Sequence, residues 1–233
     1  MKILGLQKTT LIDYPGKVAC TIFLFGCNFR CGFCHNPGLV LSPEGEEYSQ
    51  EEILDFLKKR VGQLDAVCFT GGEPLMTLEK DFVKEIKSLG YFVKLDTNGG
   101  FPEQLQDFLK EGLIDFVAMD IKNSRKKYSE LAGVDVNLKD IEKSMILISQ
   151  LENYEFRTTI IEGKHSILDI SELIDWVSRV INKRIKNYSL QGFKKEEKLI
   201  NREYLIFADT RESYLEEIKR EIENRVDNLE IKI

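Results

Sequence analysis

Short apolar runs of strand length alternate with amphipathic stretches along nearly the whole chain. Runs at 17–25, 65–70, 91–96, 114–121, 154–161 and 186–191, with a shorter one at 228–233, read as β-strands. Several are almost continuously apolar, as expected of strands covered on both faces. Between them apolar residues recur at helical spacing. The stretch "SQEEILDFLKKR" opens with Ser49 three residues before Glu52, a capping-box spacing, and puts Ile53, Leu54 and Leu57 on one face. Ile170, Leu173, Ile174, Val177 and Ile181 predict a helix over about 168–183. The same pattern covers 79–89, 102–111, 138–151 and 209–224.

Repeating β–α units predict a parallel sheet with right-handed crossovers. About six units are fewer than the eight of a closed barrel. The expected fold is therefore α/β, a partial (β/α)6 TIM-like barrel open on one side. No repeat, low-complexity segment or linker marks a second domain, so one domain is expected over 1–233. The charged stretch "GFKKEEKLINREY" at 192–204 reads as a solvated loop.

Composition narrows the function. A hydrophobic fraction of 42% in 233 residues is enough for a large core. A net charge of -6 argues against a general nucleic-acid or anionic-membrane partner. The N-terminal apolar patch is too short for a signal-peptide core, and the run at 18–25 is far below a membrane span. A soluble, cytoplasmic protein is expected. Three of its five cysteines fall within eight residues, which points to metal or redox chemistry rather than a disulfide framework. Cys20 and Cys68 lie in apolar strands, where packing is the plainer reading and a second cluster is not expected.

The three are Cys27, Cys31 and Cys34 in "CNFRCGFC", and the pattern stops one ligand short of four. A zinc site could add His35, but Cys34 and His35 are adjacent, and neighbouring side chains rarely converge on one tetrahedral ion. The alternative is a 4Fe–4S cube with one iron left for another ligand. A second motif follows a strand: "FTGGEPLM". Gly71 and Gly72 let the backbone approach a ligand, Pro74 stiffens the turn, and Glu73 offers a carboxylate where an amino group could sit. Strand ends are where barrel enzymes place their sites.

The spacing CxxxCxΦC, with Phe33 at the aromatic place, together with GGEP resembles the radical S-adenosylmethionine (radical SAM) enzymes. The resemblance implies one 4Fe–4S cluster held by Cys27, Cys31 and Cys34. It implies S-adenosylmethionine on the fourth iron, with Phe33 and His35 near the cofactor and Gly71, Gly72, Glu73 and Pro74 at its amino group. The segments "KLDTNGG" and "AMDIKN" resemble the DTNG and DxK segments of activases for glycyl-radical enzymes. This implies cofactor contacts for Thr97, Asn98, Asp120 and Lys122, the lysine approaching the cofactor's carboxylate. It also makes Asp96, Thr97 and Asp120 candidates for a monovalent cation, and oxygen-rich strand ends suit a hard cation. Arg157 sits inside a β-branched run and needs a partner, either the cofactor's carboxylate or a neighbouring one. Gln191 closes the sixth strand and is a candidate for the ribose.

Residues 11–37, "LIDYPGKVACTIFLFGCNFRCGFCHNP", resemble the start of the anaerobic ribonucleoside-triphosphate reductase activating proteins. That implies reductive cleavage of S-adenosylmethionine and a glycyl radical on the partner reductase, with flavodoxin or ferredoxin as electron donor. Alternatives are activation of another glycyl-radical enzyme such as pyruvate formate-lyase, a small-molecule enzyme like 7-carboxy-7-deazaguanine synthase, or a zinc-binding interaction module.

Overall fold

The computed structural model describes residues 1–43 and 46–233. Eight strands alternate with helices: β1 (Ile3–Thr10), β2 (Ala19–Leu24), α1 (Pro37–Val40), α2 (Gln50–Lys58), β3 (Ala66–Gly71), α3 (Lys80–Ser88), β4 (Phe92–Thr97), α4 (Pro102–Lys110) and β5 (Phe116–Asp120). Then come α5 (Tyr128–Ala132), α6 (Leu138–Ser149), β6 (Tyr154–Ile160), α7 (Ile167–Ile181), β7 (Ile185–Gly192), α8 (Glu212–Ile222) and β8 (Val226–Lys232). The strands keep chain order in one sheet, with β1 and β8 as its two edges, so the sheet is open. Parallel pairing joins β2 to β3 to β4 and β6 to β7 to β8, while β1 runs antiparallel to β2.

One difference from expectation stands out. Residues 3–10 form a strand that the apolar pattern did not show. β1 has a single paired neighbour, and its Gln7, Lys8 and Thr9 are exposed, so its sequence carries little apolar signal. At the other end, β8 falls at the short run expected over 228–233 and pairs in parallel with β7, so six β–α units from β2 to α8 are followed by one last strand.

By contacts the chain gathers into two compact units. The first comprises 1–28, 36–97 and 103–117, and the second 29–35, 98–102 and 118–233. In the first, Ile22, Leu24, Val67, Phe69, Val93 and Leu95 are fully buried in β2, β3 and β4. Helix α2 buries the predicted face of Ile53, Leu54 and Leu57, and its capping box forms as the spacing required. In the second, Phe156, Tyr188 and Leu190 are buried in the strands. The apolar stripe of α7 buries Ile170, Leu173, Ile174, Val177 and Ile181. A second capping box, Ser166 with Asp169, starts α7 at Ile167.

The segment 192–204 is not simply a solvated loop. Lys194–Lys198 are exposed, but Phe193, Leu199 and Tyr204 are buried. No helix among the described residues is long and apolar enough to cross a membrane.

Candidate functional site

In the first unit the chemistry gathers at the ends of β3 and β4. Gly71 pairs with Leu24 and has φ +119; a Cβ there would lie 2.5 Å from the Leu24 backbone N and O. At Gly72 an added Cβ would come 2.0 Å from the Gly26 carbonyl oxygen. Only glycine fits either place. The same carbonyl accepts from the Glu73 amide at 2.7 Å, and the Gly26 amide donates to the Leu39 carbonyl at 2.8 Å. The turn is thus fastened to the residue just before Cys27.

Pro74 begins a 3-10 turn over Pro74–Met76. Glu73 is fully buried, and its Oε1 accepts from the Leu75 amide at 3.2 Å and from the Thr97 hydroxyl at 2.8 Å. Burying a carboxylate is expensive unless hydrogen bonds or charges compensate, so this side chain is held in place for a reason other than packing. Asp96, one residue earlier on β4, is ion-paired with buried Lys94. Lys94 was missed by sequence reasoning, although a lysine inside the apolar run "FVKLDT" was the available signal. It stands in register with Cys68 on β3 and Thr21 on β2. Burial pushes the Cys68 thiol above its ordinary range and the Cys20 thiol up to about 12, which agrees with a packing role for both.

The second unit holds Cys31 and Cys34, while Cys27 belongs to the 1–28 segment of the first. Cys31 is buried and Cys34 half-buried, and the Cys34 amide donates to the Cys31 carbonyl at 3.0 Å. Burial raises the Cys31 thiol, and the nearby Lys122 ammonium works against that rise. Lys122 Nζ lies 5.8 Å from the centre of the Phe33 ring and 3.0 Å from Asp120 Oδ2. The other Asp120 oxygen accepts from Arg157 Nε. Burial would push the Asp120 carboxyl up, but Arg157 and Lys122 outweigh it and hold it well below the usual range. In turn Asp120 keeps Lys122 protonated despite burial. Of the two partners open to Arg157, the structure shows the neighbouring carboxylate.

The other candidates have plainer surroundings. Asn98 is buried, and its Oδ1 accepts from the Gly100 amide at 2.9 Å, closing an Asx turn. Gln191 is half-buried on β7, in register with Thr159 and Lys232. His35 is exposed, and its ring centre lies 5.8 Å from that of Phe193. Among the described residues, no three His, Cys, Asp or Glu side chains are gathered so as to hold a single metal ion. Sequence reasoning also missed His165, whose Nε2 donates to the Lys122 carbonyl at 2.9 Å, and Tyr204, which packs on Phe33.

Comparison with known proteins identifies the family. The Radical SAM superfamily matches residues 21–177. A Methanocaldococcus jannaschii protein named as a glycyl-radical enzyme activating enzyme is 33% identical, over 98% of this chain and 94% of its own. The pyruvate formate-lyase-activating enzyme of Clostridium pasteurianum is 29% identical, over 85% of this chain and 86% of its own. Among solved structures, a domain of pyruvate-formate lyase-activating enzyme from Bacteroides vulgatus superposes with a TM-score of 0.54 at 17% identity. It covers 72% of this chain and 99% of its own, and speaks for the fold alone. The chain belongs to the radical SAM superfamily and, within it, to the family of glycyl-radical enzyme activating enzymes.

Proposed function

We propose that this protein activates an anaerobic ribonucleoside-triphosphate reductase in the cytoplasm by generating a glycyl radical on it, with a flavodoxin or ferredoxin as electron donor. The family implies a 4Fe–4S cluster and S-adenosylmethionine, and the residues present fit both. Three thiols lie within eight residues, and the two remaining thiols are sealed in strands. Thiolates that each take a different iron need not converge on one point, as ligands of a single ion must. When bound, cluster and cofactor supply one-electron cleavage of the cofactor and a carbon radical able to take hydrogen from a glycine Cα.

The chain's own residues then bind and orient. Cys27, Cys31 and Cys34 would hold three irons. Asp120 joins Lys122 and Arg157 in one ion network, and Lys122 is assigned the carboxylate of the cofactor's amino-acid end. This ion network, with Lys122 Nζ 5.8 Å from the Phe33 ring centre in the cysteine loop, is the observation that carries the cofactor reading. Glu73, fixed by Leu75 and Thr97, receives the amino group, and Gly71, Gly72 and Pro74 shape the approach. Phe33 gives the adenine an apolar wall, Gln191 is assigned the ribose, and His35 and Asn98 are assigned further contacts with the cofactor. A monovalent cation at Asp96, Thr97 and Asp120 would compete with Lys94 and Arg157, which already bring positive charge to the two carboxylates.

The choice of target rests on residues 11–37, whose likeness to the reductase activases is closer than the superfamily motifs require. A second reading, activation of pyruvate formate-lyase, is favoured by the extent of the Clostridium pasteurianum match. The test mixes the reconstituted protein anaerobically with S-adenosylmethionine, a strong reductant and either glycyl-radical enzyme. The expected result is an electron paramagnetic resonance doublet on the reductase, collapsing towards a singlet when its glycine is deuterated at Cα. A doublet on pyruvate formate-lyase alone selects the second reading. Deuterium passing into 5′-deoxyadenosine from a small molecule, with no doublet on either enzyme, overturns both.

A further inference from the structure

The segment between β7 and α8 absorbs none of the roles above, yet it is fastened to the cysteine loop. Its two ends meet at one point. The Phe193 amide donates to the Ile160 carbonyl at 3.0 Å, the Thr210 hydroxyl donates to the same carbonyl at 2.5 Å, and the Thr210 amide donates to the Phe193 carbonyl at 2.9 Å. Its middle reaches the cysteine loop. The Asn201 amide donates to the Gly32 carbonyl at 3.0 Å, and the Asn201 side chain caps the turn that presents Tyr204 by accepting from the Glu203 amide at 2.9 Å. Tyr204 is buried, with its ring centre 6.2 Å from that of Phe33 and 5.6 Å from that of Phe207. It lies so close to Gly32 that a Cβ there would sit 2.2 Å from its ring. Phe193 meets His35 at 5.8 Å. Three residues interleaved with or next to Cys31 and Cys34, namely Gly32, Phe33 and His35, are therefore each touched by this one segment.

We propose that residues 193–210 form a strap that positions the cysteine loop, with Tyr204 as the positioning residue behind Phe33. The glycine of "CGFC" is then explained by the strap, because any side chain at Gly32 would expel the Tyr204 ring. The proposal rests on the radical SAM reading for what the loop holds, but the packing itself does not. The ring makes the contacts; among the described residues the Tyr204 hydroxyl donates no hydrogen bond, so Phe should serve in its place. Lys194–Lys198 form the exposed arc; the Lys195 amide donates to Asp209 Oδ1 at 2.8 Å, and among the described residues no side chain of the arc joins the anchoring.

The test compares Tyr204→Ala, Tyr204→Phe and Glu197→Ala in the reconstituted, cluster-bearing protein. Tyr204→Ala should weaken S-adenosylmethionine binding about three- to tenfold, the range an aromatic contact gives. It should also speed loss of the cluster to an iron chelator and alter the electron paramagnetic resonance signal of the reduced cluster. Tyr204→Phe should restore all three, and Glu197→Ala should change none. Alkylation of Cys31, mapped by mass spectrometry in the cluster-free chain, should be faster in Tyr204→Ala alone. Gly32→Ala should be harmful with Tyr204 present and much less so in the double variant Gly32→Ala/Tyr204→Ala, a coupling that simple misfolding does not produce. Unchanged cofactor affinity and chelation rate in Tyr204→Ala, or additive effects in the double variant, overturn the strap. A wild-type protein that takes up no iron–sulfur cluster overturns the radical SAM reading instead, and the Cys31 alkylation rates still judge the strap.

Discussion

The turn after β3 and the loop after β5 both present charged groups at a strand end, but they are held by different physics. At the first, backbone meets backbone: Gly71 lies against Leu24 and Gly72 against the Gly26 carbonyl, with no room for a methyl group. At the second, the side chains themselves fix the geometry, with Asp120 between Lys122 and Arg157. A steric lock tolerates no substitution yet is indifferent to salt and pH. An ion network tolerates isosteric change but depends on every charge being present. The difference teaches that the two strand ends should fail in different ways, and the predictions are ordered by how far each should fail.

The largest effect belongs to the steric lock. Gly72→Ala must move backbone, so destabilisation of about 3 kcal/mol is expected, at the upper end of overpacking changes. That corresponds to a fall in Tm of roughly 6–12 °C. Gly62, with φ +79 and nothing within 4 Å of an added Cβ, is the control: Gly62→Ala should show only the left-handed backbone term, about 1 kcal/mol. Thermal unfolding of the cluster-free chain reads both, and equal losses in the two variants would break the comparison.

Next comes the ion network. Asp120→Ala removes the carboxylate that both Lys122 and Arg157 bond. Removing one partner of a fully buried pair costs about 3–5 kcal/mol. The Asp120 side chain is 29% exposed, so about 2–3 kcal/mol is the expected loss. Arg157→Ala keeps the Asp120–Lys122 pair and should cost less. If Arg157→Ala is the worse of the two, the network is not organised around the carboxylate.

Function should separate the regions further. Lys122→Ala and Glu73→Ala each remove a charged hydrogen-bonding group, worth about 1.5 kcal/mol or slightly more, so S-adenosylmethionine affinity should fall about tenfold while iron content holds. Added salt should weaken cofactor binding by wild type and by Glu73→Ala, but much less by Lys122→Ala, because screening acts on the charge that variant lacks. Affinity unchanged in both variants would make these strand-end charges structural.

The same contrast explains what was legible in the sequence. Glycine requirements and cysteine spacing are local, so "CNFRCGFC" and "TGGEP" could be read directly, and so could the strands from β2 onward from their apolar runs. β1 escaped because an edge strand needs little apolar pattern. Arg157 had two candidate partners, and only the fold brings Asp120, 37 residues away in sequence, to its guanidinium. Lys94 and the anchors of 193–210 escaped for the same reason. Tyr204 in a charged stretch looks like solvated loop until Gly32 is found beneath it. Local sterics leave a mark in the sequence, and long-range pairings leave only a residue that looks out of place.

The smallest effect concerns the support under the ion network. His165 is fully buried; its Nδ1 accepts from the Ile161 amide at 3.1 Å, and its Nε2 donates to the Lys122 carbonyl at 2.9 Å. Burial lowers its pKa below the ordinary imidazole value, so it is neutral in the fold. A proton on Nδ1 would point at an amide that is itself a donor. The unfolded chain takes up that proton near pH 6.5, the folded chain only at lower pH. Stability from this group is therefore complete above about pH 6.5 and is lost progressively as pH falls towards the lowered folded value. Tm of the cluster-free chain should decline between pH 7 and pH 5 more steeply in wild type than in His165→Gln, which has no proton to take up. The Gly72 lock has no titrating group, so Gly72→Ala should follow the wild-type slope at a lower Tm. Parallel slopes for wild type and His165→Gln would show that the imidazole is not what couples the Lys122 loop to pH.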